Sequence, residues 1–263
     1  MNFTLIVMAA IVTIAAAVRS TWSPCGQSML STITPLAERT RGHRFGVTAI
    51  WFVVGATAGG ATLGAGTALL AAVVGTFLDP TSAGVMAAAF LLAMIAAASD
   101  LRVFGRGLPY HCRQVNELWL NRYRAWVYGA GFGWQIGVGV ATFIMTAGIY
   151  LLIALAALTA SPAAAFGIGV LFGFTRGLAV IPARRITTPE SLRSFHRRFD
   201  ALGPVTRHAM IAVEVGVAVV AAAVAWGAAV AALVALVVVT VTAIAFATRR
   251  RPTTPDGAGA ATT

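Results

Sequence analysis

The residue best placed to do chemistry is Cys25, set in Trp22-Ser23-Pro24-Cys25-Gly26 inside the first apolar run. Proline removes a backbone donor and interrupts a helix, and Gly26 loosens the same turn. Pro35 repeats the interruption ten residues after Cys25. A backbone break at membrane depth is tolerated where protein or a water-lined cavity surrounds it. A thiol there becomes a nucleophile when a cation or a helix N-terminus lies beside it. The competing reading is a small buried apolar side chain. Cys112, in Pro109-Tyr110-His111-Cys112-Arg113, is the second thiol. One Cys and one His are too few ligands for a metal, and a reducing cytosol disfavours a standing Cys25–Cys112 disulfide.

Among the polar residues expected inside the membrane, three stand out: Gln135, Arg176 and Glu214. Ionisable residues in a membrane are candidates for function by default. Arg176 and Glu214 sit at similar expected depth near the cytoplasmic face, which predicts a structural ion pair or snorkelling to the interface, with a gate or substrate contact as the alternative. The chain carries no carboxylate dyad, catalytic triad, phosphate-binding glycine loop or metal-ligand cluster. Hydrolytic and phosphoryl-transfer chemistry therefore has no support, and the residues call for no metal and no cofactor.

The elements that must hold these residues are membrane spans. Of the 263 residues, 59% are hydrophobic and 10% charged, against roughly 45–50% and about 25% in an average soluble domain. Mean hydropathy is +0.84. All 19 basic residues are arginine and the net charge is +11. The arginines cluster at 38–44, 100–124, 184–208 and 249–251, between apolar runs, while the turns at 79–82 and 159–162 carry none. That alternation is the positive-inside pattern of a polytopic protein and speaks against nucleic acid as the partner. It predicts seven spans, at about 3–36, 45–77, 81–99, 126–157, 163–182, 209–227 and 229–248. The N-terminus is then outside and the C-terminus cytoplasmic. Residues 1–251 form one transmembrane domain in a lipid bilayer. Residues 252–263, rich in Thr, Pro, Gly and Ala, form a disordered tail. The basic segments 100–125 and 184–208 are expected as cytoplasmic amphipathic loops. Within them, surface helices are expected over 110–126 and 190–200.

A weak internal repeat runs through this pattern. Gly55-Ala56-Thr57-Ala58-Gly59 matches Gly173-Phe174-Thr175-Arg176-Gly177, 118 residues on, and Trp22 matches Trp134, 112 residues on. Halves at about 1–100 and 125–230 would then be inverted three-span repeats followed by a C-terminal span. In that architecture the working site lies at broken helices near the midplane. Gln135 and Gly137 stand opposite Pro24-Cys25 in it. Glycines at four-residue spacing, such as Gly129, Gly133 and Gly137, predict close backbone packing.

Trp22-Ser23-Pro24-Cys25, the basic turn after it and the run Ala49-Ile50-Trp51-Phe52-Val53-Val54-Gly55-Ala56-Thr57 resemble the membrane domain of the CcdA/DsbD family. Tyr128-Gly129-Ala130-Gly131-Phe132-Gly133-Trp134 resembles the family's run into its second Pro-Cys. The resemblance covers about residues 5–230. It implies a bacterial inner-membrane protein of thiol–disulfide exchange and cytochrome c biogenesis, with Cys25 as the redox residue and a thioredoxin-like partner. Where the family has its second Pro-Cys, this chain has Gln135-Ile136, and a dithiol relay needs two thiols. The wider fold also includes small-solute and metal-ion exporters, so transport is the second reading and a membrane assembly role the third. The oligomeric state is not legible.

Overall fold

The computed structural model describes residues 3–103 and 123–249, and the described chain is all-helical. Cys112, most of the surface helix expected over 110–126 and the tail from residue 252 lie outside the described residues. Ten α-helices are described: α1 Phe3–Arg19, α2 Pro24–Thr32, α3 Pro35–Thr40, α4 Phe45–Phe77, α5 Ala83–Leu101, α6 Ala125–Gly137, α7 Gly148–Leu158, α8 Pro162–Leu178, α9 Pro189–Trp226 and α10 Ala228–Arg249. Five segments are long and apolar enough to cross a membrane: Phe3–Trp22, Phe45–Phe77, Ala83–Leu101, Pro162–Arg185 and Pro189–Trp226.

Local sequence explains the boundaries. Ser82, Ser161 and Thr188 each accept a bond from a first-turn amide, and Pro162 and Pro189 follow as first helical residues. A hydroxyl cap supplies an acceptor that the first turn lacks, and proline gives up an amide that had no partner there. In the turn before α5, Thr81 donates its amide (2.9 Å) and hydroxyl (2.7 Å) to Asp79 Oδ1. Those bonds, from the side chain first, hold the Asp79 carboxyl below its ordinary range. Gly227, at φ 94°, ends α9 and starts the turn into α10.

The centre of the bundle is α4, gripped on two faces by glycine. A Cβ on Gly55 would strike Ala130 of α6, and one on Gly133 or Gly137 would strike Phe52 or Ala56 of α4. Gly60 and Gly64 follow Gly59 around the helix by about 100° per residue, and they meet Gly169, Gly173 and Phe166 of α8 instead. Close backbone approach maximises dispersion contact where lipid offers no hydrophobic contrast. The glycine spacing thus packs helices within one chain. The outer wall is α9 against α5, with α1 between α7, α8 and α9.

Two expectations change. Residues 190–200 do not form a surface helix of their own. They are the first turns of α9, 38 residues long, which runs through Pro204. Trp22 holds them by stacking on Phe199, centroids 4.3 Å apart, and by donating its indole N–H to the Phe199 carbonyl at 2.8 Å. The break expected in the fourth apolar run at Gln135 and Gly137 falls just past them, as the site below shows.

Candidate functional site

The first span ends in three short steps. After α1, Ser20–Trp22 tighten into a 3-10 turn. Ser23 then turns extended, at φ −69° and ψ 157°, and caps α2 by accepting the Gly26 amide at 3.2 Å. Pro24 is the first residue of α2 and Cys25 the second. So Pro24 starts a new helix here, and Pro35 does the same for α3 behind the Thr34 cap. A Cβ on Gly26 would strike the Thr21 carbonyl, which is why this corner needs glycine. With nine residues, α2 rises only about 14 Å, less than half the thickness of a hydrocarbon core.

Cys25 is 2% exposed and belongs to an apolar cluster with Met29, Phe52, Phe132 and Ile136. It forms no disulfide among the described residues. Arg176 of α8 lies within electrostatic range of it. The Arg176 side chain is 3% exposed and its Nε has no hydrogen-bond partner. The helix N-terminus contributes a partial positive charge, so Cys25 has positive potential from both its own helix and Arg176.

The fourth run breaks over 138–147, between α6 and α7. Gln135 and Gly137 are still helical, so the break falls just past them. Gly137 serves packing, against Ala56. Gln135 is half-buried on α6, and its neighbour Ile136 shares the Cys25 cluster. The conformational demand sits at Gly139: its φ is +72°, and a Cβ would lie 2.7 Å from the Phe172 ring. Inside the break, Thr142 is 2% exposed and its hydroxyl has no partner.

Two buried carboxylates are structural. Asp100, 8% exposed, accepts the Thr146 hydroxyl and, at 2.8 Å, the Ala147 amide. It thereby caps α7 from another helix, where a negative charge opposes the dipole. Arg207 holds the Asp100 carbonyl through Nε (3.1 Å) and Nη2 (2.8 Å). Glu38 is fully buried on α3. The Tyr128 hydroxyl donates to it, 2.5 Å from each oxygen, and Thr48 donates to Oε2 at 2.5 Å. Arg41 pairs with Oε1 at 3.1 Å.

Glu214 has no such partners. It is 0% exposed on α9, neither oxygen has a hydrogen-bond partner, and Asp100 lies within electrostatic range. The expected Arg176–Glu214 pair is therefore not made. Arg176 belongs with Cys25 and Glu214 with Asp100, because α8 packs on α4 while α9 packs on α5. The only ion pair among the described residues is Arg41–Glu38.

No family model matches this chain, and neither does any solved structure. Two curated proteins are similar to it. One is the methylamine utilization protein MauF of Paracoccus versutus, 26% identical over 208 residues, 77% of this chain and 74% of that protein. The other is MauF of Methylophilus methylotrophus, 31% identical over 170 residues, 61% of this chain and 56% of that protein. This chain thus spans little more than half the length of the second relative.

Proposed function

We propose that this multi-pass membrane protein takes part in methylamine utilisation and works by thiol–disulfide exchange at Cys25. The observation that carries the reading is the placement of Cys25. It is the second residue of a helix that starts at a break in the first span, and a buried guanidinium with an unpartnered Nε lies within electrostatic range. The likeness to two methylamine utilization proteins supplies the physiological setting. The resemblance to the CcdA/DsbD family supplies the chemistry. In the exchange step the Cys25 thiolate attacks a disulfide of a thioredoxin-like partner. A Cys25–partner disulfide forms and one partner thiolate leaves. A dithiol reductant then resolves the mixed disulfide: one of its thiolates attacks the partner's sulfur and releases the Cys25 thiolate, and its second thiolate completes reduction of the partner while the reductant itself is oxidised to a disulfide. Neither Gln135 nor Ile136 can stand in for a second intramembrane thiol. We read the topology as seven crossings of the bacterial inner membrane in two inverted three-span halves, with the basic ends cytoplasmic.

Maleimide labelling of native membranes, with and without reductant, tests this directly. A Cys25 adduct that migrates as a mixed disulfide on non-reducing gels, and is lost in Cys25→Ser, supports the exchange. A Cys25 that stays reduced and unlabelled under oxidant makes it a packing residue and ends the reading. One observation favours solute transport as a second reading: Glu214 and Thr142 are buried polar side chains without partners, and broken helices form sites in transporters. Loss of methylamine-dependent growth in Glu214→Gln, with Cys25→Ser unaffected, would select transport.

A further inference from the structure

Beside the 3-10 turn Ile181–Arg185, a partly open cavity of about 790 Å³ lies between the end of α1, the end of α8 and the first turns of α9. Its inner wall is apolar, with Leu178, Phe195 and Phe199, while Arg184, Arg185 and Arg198 supply the charge. Ser191 and Ser194 add hydroxyls, and among the described residues no acidic one lines it. The three arginines are exposed, and none is in an ion pair among the described residues. The two acidic residues nearest in sequence on α9, Glu190 and Asp200, are exposed and lie outside the lining. Arg184 and Arg185 close the apolar segment Pro162–Arg185, where a span meets the headgroup layer. An apolar cleft with a cationic mouth at headgroup level matches one kind of molecule: an amphiphile with an anionic head.

We propose that this cavity binds an anionic phospholipid from the surrounding bilayer. Its phosphate is held by Arg184, Arg185 and Arg198, and its upper acyl chains lie against Leu178, Phe195 and Phe199. Basic pockets between spans are a known means of holding anionic headgroups, and the volume is that of an ordinary ligand site. A soluble anion would leave the apolar wall unused, and a zwitterionic lipid would bring its own cation beside three arginines. The site owes nothing to the thiol at Cys25, so it stands or falls independently of the exchange reading.

The test uses the full chain purified in mild detergent and offered cardiolipin, phosphatidylglycerol or phosphatidylcholine, with retained lipid counted by native mass spectrometry. The expected result is preferential retention of the two anionic lipids. That preference should fall about fivefold for each of Arg184→Gln, Arg185→Gln and Arg198→Gln. Arg193→Gln and Arg197→Gln, exposed on the same helix but outside the cavity, should leave it unchanged. Equal retention of all three lipids overturns the proposal, as does a preference that survives all three cavity substitutions. Complete displacement of lipid by millimolar inorganic phosphate also overturns it and makes this a site for soluble anions. Each substitution is at an exposed arginine, so single variants carry the test if the triple variant does not fold.

Discussion

Among the described residues two glutamates are fully buried, and their surroundings are opposite. Glu38 receives hydroxyls from Tyr128 and Thr48 and pairs with Arg41. Glu214 receives nothing on either oxygen. The same contrast separates the regions around them. Near Glu38, α4 and α6 meet backbone to backbone at glycines, and among the described residues there only His43 Nδ1 is a buried side-chain polar atom without a partner. Around Glu214, and separately at Arg176 beside Cys25, buried polar atoms are left open. An unsatisfied buried polar group costs about 1–3 kcal/mol, so a fold does not keep several without some return. The satisfied region is where the fold is held. The unsatisfied one is where a proton, a solute or a reacting thiol would find something to do.

The strongest way to break this contrast is Glu38→Ala. It strands two hydroxyls and a half-buried guanidinium at once, and removing one member of a buried charged set costs about 3–5 kcal/mol. The expected outcome is a large fall in the denaturation midpoint in detergent, with Glu38→Gln much milder because an amide oxygen still accepts. A Glu38→Ala protein as stable as wild type would mean that the network is decorative. Next in size is Gly173→Ala. Its methyl would strike the Ala56 carbonyl and the Gly60 backbone, so α4 and α8 must part, at about 1–3 kcal/mol. Gly167→Ala, at a helical glycine with open space around it, is the control and should be neutral or slightly stabilising. Smaller, and opposite in sign, is Glu214→Leu. Replacing an unpartnered buried carboxyl with an apolar side chain should raise stability by about 1 kcal/mol. A clear loss of stability there would show that Glu214 has a structural partner after all.

The sequence made the helical scaffold plain and hid the polar anchors. The bounds of α4 follow from an apolar run between Arg44 and Asp79, and the α9–α10 junction from Trp226-Gly227. These signals are local, so they can be read without knowing the fold. Glu38 and Asp100 stand at the edges of apolar runs among arginines and look like solvated charges. Their partners Tyr128 and Thr146 are 90 and 46 residues away, and no local pattern reports such a distance. The break in the fourth run was legible in kind but not in place. Gln135 is the conspicuous polar residue, yet the chain turns at Gly139, where a positive φ rather than polarity is the requirement. Arg176 and Glu214 were expected as partners on depth alone. Depth says nothing of which neighbour each helix faces.

The smallest effect on stability should come from Cys25→Ser, and it sharpens the contrast most. The side chain is 2% exposed in an apolar cluster, so exchanging sulfur for oxygen costs about 1–3 kcal/mol if the hydroxyl finds no acceptor. At the second position of α2 the hydroxyl stands where short polar side chains are well tolerated, which puts the expected cost at the bottom of that range. Cys25→Ala removes even that cost while keeping the site apolar. Under the exchange reading both substitutions abolish mixed-disulfide formation and methylamine-dependent growth, although the protein still folds. Arg176→Met should weaken the same reaction and leave Cys25 in place. If Cys25→Ala grows like wild type and Arg176→Met does not, the guanidinium works on something other than the thiol. Arg176 then belongs to a transport site, and Cys25 is only part of its wall.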